Sequence, residues 1–126
     1  MALKGGCDML IPSILTSIKK LLGMEEEYIH FDTDIIIHIN SVFRKLTDLG
    51  VGPAAGFSIQ DKTTTWTDYL GTNVNFEDVK TYMYLKVKLI FDPPATSFVI
   101  ESMNRQIAEY EWYLNNRAEG GNTDGS

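Results

Sequence analysis

Between Asp32 and Gly50 the apolar residues Ile35, Ile39, Val42, Phe43, Leu46 and Leu49 recur at steps of three and four. That spacing lines them up along one stripe of an α-helix, and a strand would scatter them over both of its faces. Asp32 or Thr33 offers an N-cap and Gly50 a stop. A helix with one wide apolar stripe must have it covered, so the constraint passes to the rest of the chain. The covering elements have to be found in the same 126 residues.

Three further stretches answer to the same period. Leu10, Ile11, Ile14, Leu15, Ile18, Leu21 and Leu22 predict a first helix, with Pro12 tolerated in its opening turn, Lys19 and Lys20 at its negative end and Gly23 as its stop. Asn75, with Asp78 three residues on, predicts the cap of a helix running to about Phe91. Its apolar residues form two stripes, Phe76, Val79, Met83, Val87 and Ile90 against Tyr82, Leu85 and Leu89, so it belongs in the middle of the bundle. Asp92, Pro93 and Pro94 end it, because proline lacks the amide donor and turns the preceding residue away from helix. A last helix starts near Thr96 or Ser97 and places Ile100, Met103, Ile107, Tyr110 and Leu114 on one face. Trp112 falls almost opposite that face, where an indole either caps a local cluster or meets another chain, and the second reading is preferred.

The stretch from Gly50 to Thr65 has no such period. Its glycines, proline and run of threonines predict a long ordered loop, with room for a short strand or hairpin around Phe57 to Ile59. Thr65 and Asp68 make a capping-box start for one helical turn that closes at Gly71. A long loop carrying Phe57, Ile59, Trp66, Tyr69 and Leu70 reads as a working surface, since a disordered one has no use for so much apolar area. The fold class is therefore mostly α, a small bundle of four main helices with a long loop. Residues 1–8 read as a flexible leader, 9–117 as one helical domain and 118–126 as a flexible tail.

Composition narrows the function classes. With 44% hydrophobic and 11% aromatic residues the chain can bury a core. A net charge of -6 argues against a protein that grips the DNA backbone, which takes clustered Lys and Arg. Cys7 has no partner for an internal disulfide and reads as an ordinary thiol of a reducing compartment. No apolar run is long enough to span a bilayer, and MALKGGCDMLIPS lacks a signal-peptide core and cleavage site.

Candidate chemistry is sparse. His30 and His38 lie near Glu25, Glu26, Glu27, Asp32 and Asp34, but without HExxH or His-x3-His spacing. GVGPAAG follows a helix, and no Lys-Ser or Lys-Thr pair succeeds it, so its glycines read as turn formers and not as a phosphate cradle. There is no G-x-S-x-G elbow, and Lys80, Lys86 and Lys88 point in different directions around their helix. No catalytic, metal or cofactor-binding residues are expected. From the residues alone the chain reads as an α-helical interaction module, with a small metal- or nucleotide-dependent enzyme a poor second.

Four segments go further. MLIPSILTSIKKLLG, DTDIIIHINSVFRKLTDLGVG, GFSIQDKTTTWTDYLG and YLKVKLIFDPPATSFVIESMNRQIAEYEWYLN together resemble the head-tail connector (adaptor) proteins of siphophages and Gram-positive prophages. The resemblance covers nearly all of residues 9 to 117. It implies a structural virion protein of the neck, assembled in the host cytoplasm, forming a ring of usually twelve copies under the portal. The ring would extend the DNA channel, pass double-stranded DNA without sequence-specific binding and prepare the head for a stopper or tail-completion protein. By the same resemblance the portal interface falls on Phe98, Arg105, Trp112, Tyr113 and Arg117, and Phe57, Ile59, Trp66 and Tyr69 serve neighbour or tail-side contacts. The alternative is a phage-encoded helical module that binds a protein partner as a monomer.

Overall fold

The computed structural model describes the backbone of residues 13–71 and 76–124, and their side chains except those of 76 and 117–124. Among the described residues the elements are α1 (Ile14–Leu21), α2 (Asp32–Asp48), α3 (Trp66–Leu70), α4 (Phe76–Phe91) and α5 (Ser97–Asp124). No strand occurs among them. The expected strand near Phe57 is replaced by a side-chain clamp described below.

α2 buries Ile35, Ile39, Val42, Phe43 and Leu46 almost completely, as its spacing requires. Each such burial is worth about 1.5–3 kcal/mol. Its start differs from expectation: the N-cap is Phe31, which makes no side-chain cap bond, and Asp32 lies inside the first turn. Asp32 cannot serve as the cap because its carboxylate is engaged by Lys19 of α1 at 2.8 Å.

α1 begins at Ile14, later than the apolar spacing from Leu10 predicts. Ser13 is extended, its hydroxyl accepts a hydrogen bond from the Thr16 amide at 3.2 Å, and its backbone bridges Thr65. The Ile14 amide donates to the Thr64 carbonyl at 3.0 Å, so this backbone is committed to the loop and not to another helical turn. Leu10, Ile11 and Pro12, like Cys7 and the 1–8 leader, lie outside the described residues, as does the Asn75 cap.

α4 is the central helix and packs on α1, α2 and α5. Val79, Tyr82, Met83, Leu85 and Val87 are buried around more than one side of it. Ile90 departs from its expected stripe and is 55% exposed at the penultimate position of the helix. Pro93 and Pro94 follow in the connection to α5, whose Met103, Ile107 and Leu114 close the core, with Tyr110 partly buried against it. The helical backbone of α5 continues past Arg117 to Asp124.

Candidate protein-interaction surfaces

The loop between α2 and α3 is held by side chains. Asn40 of α2 donates from Nδ2 to the Ile59 carbonyl at 3.0 Å and accepts the Ile59 amide on Oδ1 at 2.8 Å. A carboxamide thus satisfies both backbone groups as a neighbouring strand would, and Ile59 is pulled into the core. Thr65 and Asp68 form the expected capping box, with bonds of 3.1 and 2.9 Å, and this turn drives Trp66 inward. The indole is fully buried and donates to Ser17 Oγ of α1 at 3.2 Å.

Tyr69 completes the loop's packing. Its ring lies 4.7 Å from that of Phe43 and 4.8 Å from that of Phe57, and its hydroxyl donates to the Val51 carbonyl at 3.4 Å. Burial pushes this phenol above its ordinary range. Gly52, at φ +82°, lets the chain pass the ring, since a Cβ there would stand 2.6 Å from Tyr69 Cε1.

These positions correct the reading of the loop as a working surface. Ile59, Trp66 and Tyr69 are core residues of the single chain, and Phe57 is half-buried on Phe43 and Tyr69. The loop's apolar area is consumed within the chain, because Asn40 and the capping box turn its side chains inward.

α5 presents the opposite arrangement. Phe98, Arg105 and Trp112 are spaced by seven residues, which puts them on one line about 10 Å apart along a face away from Met103, Ile107 and Leu114. Phe98 is 77% and Trp112 67% exposed; Arg105 is exposed, and Tyr113 is 40% exposed beside the line. The side chain of Arg117 lies outside the described residues. Gln106, Glu109, Tyr110 and Tyr113 line an open groove of about 360 Å³ next to it.

The inner face of α5 is pinned. Tyr82 donates to Glu111 Oε2 at 2.8 Å, and Lys86 approaches the same oxygen at 3.7 Å. Burial, then the Glu111 hydrogen bond and charge, raise the Tyr82 phenol well above its ordinary range. Near the far end Asn115 Nδ2 donates to the Leu49 carbonyl at 3.1 Å. The outer line is therefore displayed by a helix that cannot roll to bury it.

A second exposed region escapes the sequence reading. Between α1 and α2, Tyr28 is 50% and Ile29 70% exposed, next to exposed Glu25, Glu26 and Glu27. Lys19, itself buried, holds this loop in place: its ammonium donates to the Glu26 carbonyl at 2.9 Å and meets Asp32 Oδ1 as an ion pair without an aligned hydrogen bond. The available signal was an apolar pair stranded in a segment too short to form a helix of its own. His30 meets Phe31 edge to face, centroids 4.7 Å apart, and His38 lies 6.4 Å from Phe91, so both imidazoles belong to an aromatic cluster. Among the described residues no group of three His, Cys, Asp or Glu side chains could hold a metal ion. No helix among them is long and apolar enough to cross a membrane.

Against known proteins, the family model described as phage connector protein matches residues 14–121. No curated protein and no solved structure matches the chain.

Proposed function

The chain belongs to the phage connector protein family, and on that premise we propose that it forms a ring, of twelve copies, at the neck beneath the portal. Membership makes it a structural connector of the virion that assembles with other phage proteins. The ring extends the DNA channel, and the head so completed receives a stopper or tail-completion protein. A chain of net charge -6 suits a channel wall past which DNA slides, since it offers no surplus of cations to retain phosphates.

The observation that carries this reading is the family match together with a rigidly displayed tryptophan. Trp112 stands 67% exposed on a helix pinned by Tyr82–Glu111 and Asn115–Leu49 contacts, and a large aromatic held in that way is a common anchor of a protein interface. In our reading Trp112 and Tyr113, toward the C-terminal half of α5, face the portal. Phe98 lies about 21 Å further back along the helix, too far to share one small anchor pocket with Trp112.

The test is electron microscopy of particles carrying a small tag on the C-terminus of this chain. Density for the tagged chain at the tail vertex, with twelvefold rotational symmetry, is the expected result. Filled particles without it, and the protein left free in the lysate as a monomer, would overturn the neck assignment and favour a phage-encoded helical module acting on another partner.

A further inference from the structure

A ring of identical copies joined head to tail requires two unlike surfaces on each chain that fit each other. Two unlike surfaces remain uncovered at one end of this bundle. The Phe31 and Phe91 rings pack 5.3 Å apart, which places the start of α2 beside the end of α4, and α5 starts six residues after Phe91. The 25–29 loop and Phe98 are therefore at the same end, whereas Trp112 is toward the other.

The two surfaces are complementary. The loop combines three exposed carboxylates with exposed Tyr28 and Ile29. The first half of α5 combines exposed Phe98 with exposed Arg105. None of Glu25, Glu26, Glu27 and Arg105 takes part in the described ion pairs, which join Lys19 to Asp32, Lys80 to Glu77, Lys86 to Glu111 and Lys88 to Asp92.

Charge also decides how copies can meet. A symmetric contact of either surface with itself would set carboxylates against carboxylates or Arg105 against Arg105, and like charges brought together at an interface repel. Pairing the loop of one copy with α5 of the next sets carboxylates on a guanidinium and covers apolar side chains on both sides. If the ring axis follows the helices, every residue keeps its height from copy to copy, so surfaces at one end of the bundle meet their counterparts at that end. The loop's backbone is fixed beforehand by Lys19, which lowers the ordering cost of contact.

We propose that neighbouring copies in the ring meet through this pair of surfaces: Tyr28 and Ile29 of one copy pack on Phe98 of the next, while its 25–27 carboxylates engage Arg105. The assignment rests on the ring reading above but names surfaces that the family match does not. It leaves Trp112 and Tyr113 for the portal.

The test is a cysteine pair, Ile29→Cys with Phe98→Cys in a Cys7→Ser background, carried by the full chain in assembled particles. Mild oxidation should give a ladder of covalent species beyond the dimer on a non-reducing gel, whereas each single cysteine should stay monomeric; dimers from the singles would overturn the head-to-tail pairing. A ladder from the pair with monomeric single variants requires a head-to-tail contact joining the two positions, because symmetric 29–29 or 98–98 contacts would dimerise the singles. In a second experiment Glu26→Arg and Arg105→Glu should each lower the yield of multimers several-fold, and the double exchange should restore it. Both sites are exposed, so far-UV circular dichroism should not change. Particles that contain the chain at the vertex yet give no ladder and no rescue would overturn this interface and leave the ring standing. Particles that lack the chain would remove both.

Discussion

Two connecting segments of this protein carry comparable aromatic content and put it to opposite use. The segment that leaves α2 and runs through α3 turns Ile59, Trp66 and Tyr69 into the core; the shorter one between α1 and α2 leaves Tyr28 and Ile29 in solvent. Apolar content does not separate them. The polar groups around them do. In the first, Asn40 takes both backbone groups of Ile59 and Thr65 caps the turn that swings Trp66 inward, so the Ile59 backbone and the Asp68 amide are paired as the side chains are buried. In the second, Lys19 donates to the Glu26 carbonyl, forms an ion pair with Asp32 and fixes the backbone with the following side chains facing outward. Which groups satisfy the backbone decides where the side chains go.

That contrast can be broken most severely at Trp66. Trp66→Ala empties a fully buried site and removes the bond to Ser17, and it should cost about 3–5 kcal/mol in a denaturant titration. A loss below about 1 kcal/mol would mean that the loop is not part of the core. Next comes the clamp. Asn40→Ala leaves the Ile59 amide and carbonyl without their partners and should cost about 2–3 kcal/mol, with faster hydrogen exchange at the Ile59 amide. Unchanged exchange at that amide would refute the clamp.

The third effect depends on pH. The folded-state phenol of Tyr69 is raised above its ordinary value of 10.0 by burial, so between the unfolded and the folded pKa the native chain holds a proton that the unfolded chain has released. Stability from this group is full below about pH 10 and falls as pH rises further, with a slope of about 1.4 kcal/mol per pH unit. Urea midpoints measured between pH 9 and 11 should show Tyr69→Phe losing less stability than the wild type over that range. Parallel curves would mean that the hydroxyl is not buried.

The smallest effect on folding is expected in the other segment. Tyr28→Ser and Ile29→Ser should each shift stability by no more than about 0.5 kcal/mol, as exposed positions do. The same is expected of Trp112→Ala, which should keep its melting temperature while losing incorporation into particles. A large drop in melting temperature for any of the three would place that side chain in the core.

Much of the architecture was legible in the sequence because it rests on local periodicity. The stripe of α2, the capping box at Thr65, the stop at Pro93 and Pro94 and the central place of α4 all follow from residues within a few positions of one another. The exposure of Trp112 was legible for the same reason, since its angle from Met103, Ile107 and Leu114 is set by the helix itself. The fate of the long loop was not. It depends on Asn40 reaching Ile59 nineteen residues away and on Trp66 reaching Ser17 across forty-nine, and no local pattern encodes such pairings. The late start of α1 has the same origin, because Ser13 and Ile14 are engaged by Thr65 and Thr64. Tyr28 and Ile29 were overlooked because a pair of residues shows no period.

The bond from the Ile14 amide to the Thr64 carbonyl also bears on how the protein is made. A ribosome delivers α1 before the loop, and the Thr64 carbonyl that receives the Ile14 amide comes fifty positions later, about 3–10 s at ordinary rates of synthesis. In that interval α2, on which α1 also packs, is already made, but the loop that receives the Ile14 amide and buries Trp66 against α1 is not. The seat of α1 is thus completed only when a distant loop closes on it, at a loop-closure cost that a purely local helix hairpin would not carry.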